Sequence, residues 1–349
     1  MNKEDARQMN EIYKPWGNID WIMSKLDKID QWNFLGSISA EERSLGAWNW
    51  LMDNKKIKNY EMWLINDPKN PPSPYRDIFN EECEQRIQQY EDKGGQGYCE
   101  FELLESDTNA SACFNSFIKQ ADGNVIIDIS TMPKRWFFPI IRDCLTDNCI
   151  KNLLVMYTIP KHYSKKQGED PMPWKYFPSF GELPEREQLE KIFIISAGYQ
   201  PLSLPMWISN YESSKIYILF PFPASISGYP RAWDFIRTIE SDRDTIENSR
   251  IVYVPGYNLP EIYSTICKIM DQEEGKEPIF SPYGPKPVSL AIAMIASQSS
   301  CPVGYTQPAY YNPYYSTGIE TVGNNIPKTM SYLLKVNGRN LYAHPSFSF

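Results

Sequence analysis

Short β-branched apolar runs alternate with amphipathic segments along this sequence, and the alternation limits the chain to few architectures. The strongest run, residues 125–130, is nearly continuous in apolar residues, as strands buried on both faces of a parallel sheet are. The pattern predicts an α/β protein with a mostly parallel sheet covered by helices. In the first part we predict strands at 32–39, 60–65, 98–104, 125–130 and 152–157, and helices at 41–53, 112–120 and 133–145, with a further helix through residue 87.

The second part of the chain repeats this order. Pro133-Lys134 opens an apolar helix in the first part, and Pro285-Lys286 opens one in the second. The strand that follows closes near Tyr157 in one case and near Tyr305 in the other. This matching order predicts an internal duplication and therefore two tandem Rossmann-like halves. In the second part we predict strands at 192–196, 215–220, 250–254 and 303–305, an apolar run at 278–280, and helices at 232–239, 259–270 and 288–297.

Three further segments complete the predicted organisation. Residues 1–30 form a short helical lead-in, and the Pro-rich residues 164–190 form a linker on the surface rather than in the core. The first half then spans 31–163 and the second 191–311. Residues 312–349 form a C-terminal extension, in which Asn337-Gly338 is a strong two-residue hairpin signal. We expect that hairpin to add antiparallel strands at a sheet edge or over a cleft.

The composition of the chain excludes several classes of protein. The chain has 349 residues with 35 basic and 43 acidic side chains, a formal charge of −8, which argues against a duplex-DNA binder. Its longest mostly apolar stretch, 288–296, is far shorter than the ~20 residues of a membrane span, and its acidic start is unlike a secretory signal. Seven scattered cysteines without a CxxC pair fit reduced thiols. We therefore expect a cytoplasmic protein without membrane contact.

Common cofactor signatures do not occur in the sequence. Two histidines are too few for a three-histidine zinc site, and neither GxxxxGK[ST] nor GxGxxG occurs. We expect neither a metal nor a cofactor.

The candidate site lies where the two predicted sheets end. Ligands of open parallel sheets bind beyond the carboxyl ends of the strands, where helix N-termini attract anions. Residues 128–135 and 281–289 both place hydroxyls, prolines and a lysine at such a helix start, which suits phosphate or ribose oxygens. The alternative is ordinary capping, with proline at the first helical position after Ser or Thr. For Asp128, ion pairing with Lys134 or Arg135 is simpler than catalysis or metal binding.

Tyrosines crowd the same predicted loops. Bases stack on such rings for about 1–3 kcal/mol each. A Tyr- and Pro-rich segment also packs well at a domain seam, so both roles stay open. The residues concerned are His162, Tyr163, Tyr283, Tyr305, Tyr310, Tyr311, Tyr314 and Tyr315.

A strand that ends in Asp128-x-Ser130, then a small loop, then Lys134 at the start of an apolar helix resembles the fourth-strand motif of the CRISPR-associated Rossmann fold (CARF). Gly36-Ser37-Ile38-Ser39, with Glu41-Glu42-Arg43 behind it, stands where that family places its other ligand-contacting loop. Met132-Pro133 replaces the family's Gly-Gly pair. The resemblance covers about 32–163 and, more loosely, 192–311, and two such units resemble the SAVED domain. It implies sensing of a cyclic oligonucleotide in antiviral defence.

We therefore predict a phosphorylated, nucleotide-type ligand bound between the halves of a sensor or regulatory protein of bacterial antiviral defence. Output would need an effector partner or self-association. Two alternatives stay open: a phosphodiesterase that degrades the messenger, and a ligand-free interaction protein. The predicted ligand-binding residues are Ser37, Ser39, Arg43, Asp128, Ser130, Thr131, Lys134 and Arg135 in the first half, and Ser196, Gly284, Lys286, Ser289 and Gln307 in the second.

Overall fold

The computed structural model describes residues 14–29, 31–68, 72–106, 108–164, 172–182, 186–198, 200–201, 203–211, 214–222, 229–241 and 249–344. Parts of three predicted segments lie outside these described residues: 1–13 and 30 of the lead-in, 165–171 and 183–185 of the linker, and 345–349 of the extension.

A large, mostly parallel sheet forms the first half. Its elements are β1 (Trp16–Asn18), α1 (Ile19–Lys25), β2 (Trp32–Ile38), α2 (Gly46–Asp53), β3 (Ile57–Asn66), α3 (Arg76–Asp92), β4 (Cys99–Glu102), α4 (Thr108–Gln120), β5 (Asn124–Asp128), α5 (Lys134–Thr146) and β6 (Asn152–Thr158). A 3-10 turn, Glu42–Leu45, precedes α2. Five neighbouring strands run parallel in the order β4-β3-β2-β5-β6. Every residue of β2 and β6 is buried, because helices cover both faces.

A smaller parallel sheet forms the second half. Between the halves lie β7 (Pro160–Tyr163) and β8 (Lys175–Tyr176). The second half contains β9 (Lys191–Ser196), α6 (Leu204–Ile208), β10 (Lys215–Phe222), α7 (Tyr229–Ser241), β11 (Ser249–Pro255), α8 (Leu259–Gln272), β12 (Glu277–Pro282), α9 (Lys286–Ser299) and β13 (Gly304–Tyr305). Its strands run parallel in the order β11-β10-β9-β12, and a parallel bridge from Phe280 to Val303 continues the sheet beyond β12.

Both sheets follow one topology. When the strands of each half are numbered in chain order, their order across the sheet is 3-2-1-4. The fifth segment of each half pairs beyond the fourth strand. That order is the one of a Rossmann-like half, so the predicted fold class is confirmed. None of the helices in the described ranges combines the length and apolar character that a membrane span requires.

The helices that follow the fourth strands, α5 and α9, pack against each other and join the halves. Both begin with a lysine and continue into buried apolar residues, and α9 is apolar on nearly all sides. One continuous core cluster includes both helices and strand residues of both sheets, such as Val155 and Ile194. This packing brings the carboxyl ends of β5 and β12 close together.

The predicted linker contributes to the core. Trp174, Phe177 and Phe180 are buried, and the Phe177 ring centroid lies 4.9 Å from that of Phe138 on α5. Trp174 stacks on Trp207 at 3.5 Å. The expectation of a purely superficial segment is wrong for these residues. The prolines predicted a surface excursion, but aromatic side chains between them pack beside α5 and α6.

The C-terminal extension completes the first sheet. It contains β14 (Ser316–Ile319), β15 (Thr321–Val322), β16 (Ile326–Pro327), β17 (Thr329–Val336) and β18 (Arg339–Asn340). β17 pairs antiparallel with β6 and β1, and β18 folds back on β17. The predicted hairpin at a sheet edge is confirmed, with positive φ at Asn337 and Gly338. β14 pairs with β7, which carries residues 312–315 toward the carboxyl ends of the strands.

If β17 is an integral strand, its buried side chains contribute to global stability. Leu333→Ala is expected to lower the free energy of unfolding by about 2–5 kcal/mol, because Leu333 is fully buried and its truncation leaves a cavity. Urea denaturation measures this loss. Leu189→Ala is the matched control, since Leu189 is 42% exposed and its truncation should change stability by less than about 0.5 kcal/mol. Equal effects of both substitutions would contradict the placement of β17.

Candidate functional site

The carboxyl ends of both sheets face one cavity of about 250 Å³. The first half contributes the loops after β2, β3 and β5 together with Tyr157 of β6, and the second half contributes those after β9, β11 and β12. Tyr311, at the end of the second half, and residues 312, 313 and 315 of the C-terminal extension line a further wall. Such a crevice at the strand ends is where α/β sheets bind ligands.

At the cavity wall, two lysines reach in opposite directions, each from its own half to the backbone of the other half. The Lys134 ammonium, at the start of α5, donates hydrogen bonds to the carbonyl oxygens of Pro282 and Gly284, the latter over 2.9 Å. The Lys286 ammonium, at the start of α9, donates to the carbonyl oxygen of Met132. Met132 and Gly284 each lie two residues before the lysine of their own half. The halves therefore exchange equivalent hydrogen bonds, which we call the lysine exchange.

These lysines are held at an electrostatic cost. Burial lowers the pKa of the Lys134 ammonium well below its usual range, and repulsion from Lys286 adds to the effect. Burial, followed by repulsion from Arg43, lowers the pKa of Lys286 to about 7, although Glu41 and Asp128 attract it. Within the described residues neither lysine forms an ion pair. The backbone carbonyls satisfy N–H donors but do not neutralise the charge.

Arg43 is the third cation of the cavity. It lies in the 3-10 turn before α2, is 4% exposed, and donates from Nε to Glu41 over 2.9 Å. Its guanidinium carbon lies 5.6 Å from the Tyr157 ring centroid. Although burial opposes the charge, Glu41 and the nearby tyrosines raise the pKa of Arg43 above its usual value. Arg43 is therefore a fixed positive charge.

Asp128 does not form the expected ion pair with Lys134 or Arg135. Its Oδ1 accepts hydrogen bonds from the backbone N–H and the hydroxyl of Ser130, and that hydroxyl accepts from Thr158 N–H over 2.7 Å. The lysine is drawn to the other half instead, and Arg135 donates to the carbonyl oxygens of Leu103 and Glu105. Burial raises the pKa of Asp128 to about 6 despite the Ser130 hydrogen bonds. Asp128 thus shapes the loop that precedes α5.

The starts of α5 and α9 differ from ordinary capping. Pro133 and Pro285 occupy the N-cap position rather than the first helical position, and no side chain caps either helix. The alternative interpretation, ordinary capping by Ser or Thr with proline at the first helical position, is therefore wrong for these two helices. The backbone N–H groups of Lys134 and Lys286, the first of each helix, belong to residues of the cavity lining and have no side-chain cap. With the helix dipoles, they add positive potential to the two ammonium groups.

The structure brings most of the predicted site residues together. Eight of them line the cavity: Ser37, Ser39, Arg43, Ser130, Thr131, Lys134, Gly284 and Lys286. Five lie outside its lining: Asp128, Arg135, Ser196, Ser289 and Gln307. Of the latter, Ser196 accepts the Gly284 N–H over 2.8 Å and so supports the loop before α9. Gln307 donates to the Tyr311 hydroxyl over 3.0 Å.

Tyrosines form much of the remaining lining. Tyr157 and Tyr163 share a hydrogen bond of 2.7 Å between their hydroxyls, and the Lys134 ammonium lies 5.1 Å from the Tyr305 ring centroid. Tyr283, Tyr311 and Tyr315 also line the cavity. Tyr310 is instead buried and Tyr314 is 48% exposed, and neither reaches the lining.

Sequence reasoning did not single out Glu41, Asp67, Gln200, Tyr257 and Asn312 as site residues, although all line the cavity. Gln200 and Tyr257 follow the ends of β9 and β11. The rule that ligands bind at the carboxyl ends of strands, applied to every strand, would have found both. Asp67, after β3, follows the same rule. Asn312 has no such signal, since a long-range strand pairing carries it there.

No protein-family model matches the sequence, and no curated protein matches it. Among solved structures, the cytoplasmic domain of a prokaryotic cation chloride cotransporter matches with 11% sequence identity. The match covers 80% of this chain and 96% of that chain, with a TM-score of 0.25. At that score the likeness carries no argument about the function of this chain.

The low pKa of Lys286 makes stability depend on pH. Between about pH 7 and its usual pKa, Lys286 is neutral in the folded chain and protonated in the unfolded chain, so the unfolded chain binds more protons. Stability due to this group therefore rises with pH, by at most about 1.4 kcal/mol per unit. We expect the stability of wild type relative to Lys286→Met to increase from pH 7 to pH 9.

Chemical denaturation at several pH values in chloride buffers measures this difference. Lys119→Met is the control, because Lys119 is exposed at the end of α4 and its removal should give no such slope. A pH-independent difference between wild type and Lys286→Met would contradict the low pKa.

Proposed function

We propose that the cavity binds a phosphorylated ligand of nucleotide type, and that the protein is a sensor or regulatory component of a bacterial antiviral defence system. The observation that carries the proposal is the presence of Arg43, Lys134 and Lys286 in one cavity lining. The resemblance of both halves to CARF units supports the nucleotide class and the role in defence.

The charge of the cavity favours an anion. Its lining holds three basic side chains against two carboxylates, Glu41 and Asp67. Glu41 is engaged by Arg43 and by the Ser316 hydroxyl, and Asp67 by Ser73 and the Tyr311 backbone. The two lysines therefore lack a countercharge within the described lining. A phosphate group between them would supply one in a partly enclosed site, where charge interactions are stronger than in water.

The lysines keep hydrogen-bond donors for such a ligand. An ammonium group has three N–H donors. Lys134 uses two of them for Pro282 and Gly284, and Lys286 uses one for Met132. A phosphate can therefore bind the remaining N–H groups while the lysine exchange stays intact. The uncapped starts of α5 and α9 add backbone donors.

The rest of the lining suits a base and a ribose. The rings of Tyr157, Tyr163, Tyr305 and Tyr311 offer faces for stacking, and the hydroxyls of Ser37 and Thr131, 2.9 Å apart, offer polar contacts. Both halves and the C-terminal extension supply these groups. A bound ligand would therefore contact three parts of the chain at once, which fits a sensor whose output passes to a partner protein or to self-association.

A thermal-shift panel of nucleotides tests the proposal. We expect one or more cyclic oligonucleotides or other phosphorylated nucleotides to stabilise the protein, by about 2.7 kcal/mol at 100 times the Kd. The double substitution Lys134→Met/Lys286→Met should abolish the shift, because it removes both ammonium groups. Lys119→Met should keep it, and circular dichroism verifies folding of each variant.

Two outcomes would contradict this assignment. A panel that includes cyclic and linear nucleotides and gives no shift would favour the ligand-free interaction protein. A shift that survives the double substitution would place the ligand elsewhere. Chromatography of the recovered ligand adds a further distinction: intact ligand supports sensing, and linear products from a cyclic nucleotide support the phosphodiesterase alternative.

Affinity should also depend on pH. An anion beside Lys286 stabilises the protonated ammonium, so binding above pH 7 takes up a proton. For a phosphodiester, whose own charge is constant in this range, the affinity should fall by up to about tenfold per unit between pH 7 and pH 9. Isothermal titration calorimetry in buffers of different ionisation enthalpy measures the proton uptake. Binding without proton uptake would show that the ligand does not face Lys286.

A further inference from the structure

Two thiols and a carboxylate meet at the other end of the first sheet, away from the cavity. Cys99 begins β4, Cys113 lies on α4, and Glu61 lies on β3. One ligand atom of each, the two Sγ atoms and a carboxylate oxygen, lies within 4.8 Å of the others. The two Sγ atoms are 3.1 Å apart. All three residues are half-buried, so solvent ions can reach them.

The sheet explains why these groups converge. Cys99 pairs with Trp63 across β3 and β4. Residues two apart on a strand face the same side, so Glu61, Trp63 and Cys99 share one face of the sheet. Helix α4 covers that face and contributes Cys113. The backbone of three separate elements thus fixes the arrangement.

Glu61 is oriented as a metal-binding carboxylate is. The Trp63 indole N–H donates to Oε1 of Glu61, which leaves Oε2 as the oxygen available to a ligand. Hydrogen bonds of this kind orient ligating carboxylates in metal sites. Within the described residues Glu61 forms no ion pair, so its charge is left to a cation from solution.

We propose that Cys99, Cys113 and Glu61 bind a thiophilic divalent cation, with zinc as the cation that best suits two sulfurs and one oxygen. Zinc takes two cysteine thiolates and one carboxylate oxygen readily, and a water completes its tetrahedron. Binding displaces the two thiol protons to solvent, so the bound cation meets two thiolates and one carboxylate. A tetrahedral site separates the sulfurs by about 3.8 Å, about 0.7 Å more than their present 3.1 Å distance.

The sequence alone gave the opposite expectation, that of no metal. Zinc motifs are read from closely spaced cysteines, whereas these two are fourteen positions apart and the carboxylate lies on another strand. The proposed site is also independent of the proposed nucleotide ligand, because it shares no residue with the cavity lining.

Metal titration of the intact chain tests the proposal. The protein is reduced, treated with a chelator and desalted, and Zn²⁺ is added in competition with a chromophoric chelator. We expect one zinc ion per chain. Co²⁺ in its place should give a thiolate-to-cobalt charge-transfer band in the near ultraviolet, which reports sulfur ligation directly.

Three variants separate a site from adventitious binding. Cys99→Ser and Cys113→Ser should each abolish the charge-transfer band, and Glu61→Gln, which keeps the shape of the side chain, should weaken zinc binding at least tenfold. Cys149→Ser removes an exposed cysteine elsewhere and should change neither. Full zinc binding in Cys99→Ser would overturn the proposal. The absence of a charge-transfer band in the wild-type protein would also overturn the proposal. This includes the case in which the mass under non-reducing conditions shows Cys99 and Cys113 joined as a disulfide.

Discussion

The packing of α5 against α9 is the interaction on which the site depends. Each helix follows the fourth strand of its own sheet, so contact between them forces the carboxyl ends of both sheets to face the same space. The lysine exchange is a direct result: Lys134 and Lys286 begin the two helices and reach the loop of the opposite half. If these helices packed elsewhere, each half would hold a shallow crevice with one lysine rather than a shared cavity.

The cavity therefore concentrates unfavourable charge. Two ammonium groups and a guanidinium approach one another where burial lowers the pKa of both lysines. A purely structural role would be served as well by uncharged donors, which would not incur this cost. Arg43 forms an ion pair with Glu41, whereas among the described residues neither lysine forms one and both donate to backbone carbonyls. This difference leaves the two lysines as the groups that gain most from a bound anion.

Local patterning predicted most of the fold. The β-branched run at 125–130 identified the fourth strand of the first half, and the Pro-Lys helix starts identified both lysines, because these signals are contained within a few residues. The fourth strand of the second half was seen only as an apolar run at 278–280. Three of the features that escaped local patterning depend on distant partners. Asp128 binds Ser130 rather than a cation because Lys134 is drawn to the other half, Trp174 is buried against Trp207, and Asn312 reaches the cavity through the pairing of β14 with β7. Periodicity contains no information on such contacts.

The position of β17 has a consequence for how the chain folds. β17 lies between β6 and β1, so it joins residues near 330 to partners near 155 and near 17. Strand pairings between residues so far apart in sequence form slowly, because a long loop must close before the new contacts stabilise the chain. Until then β6 is an exposed edge strand, a template for association with other chains. Newly made chains are thus most vulnerable to aggregation in the interval before β17 pairs with β6.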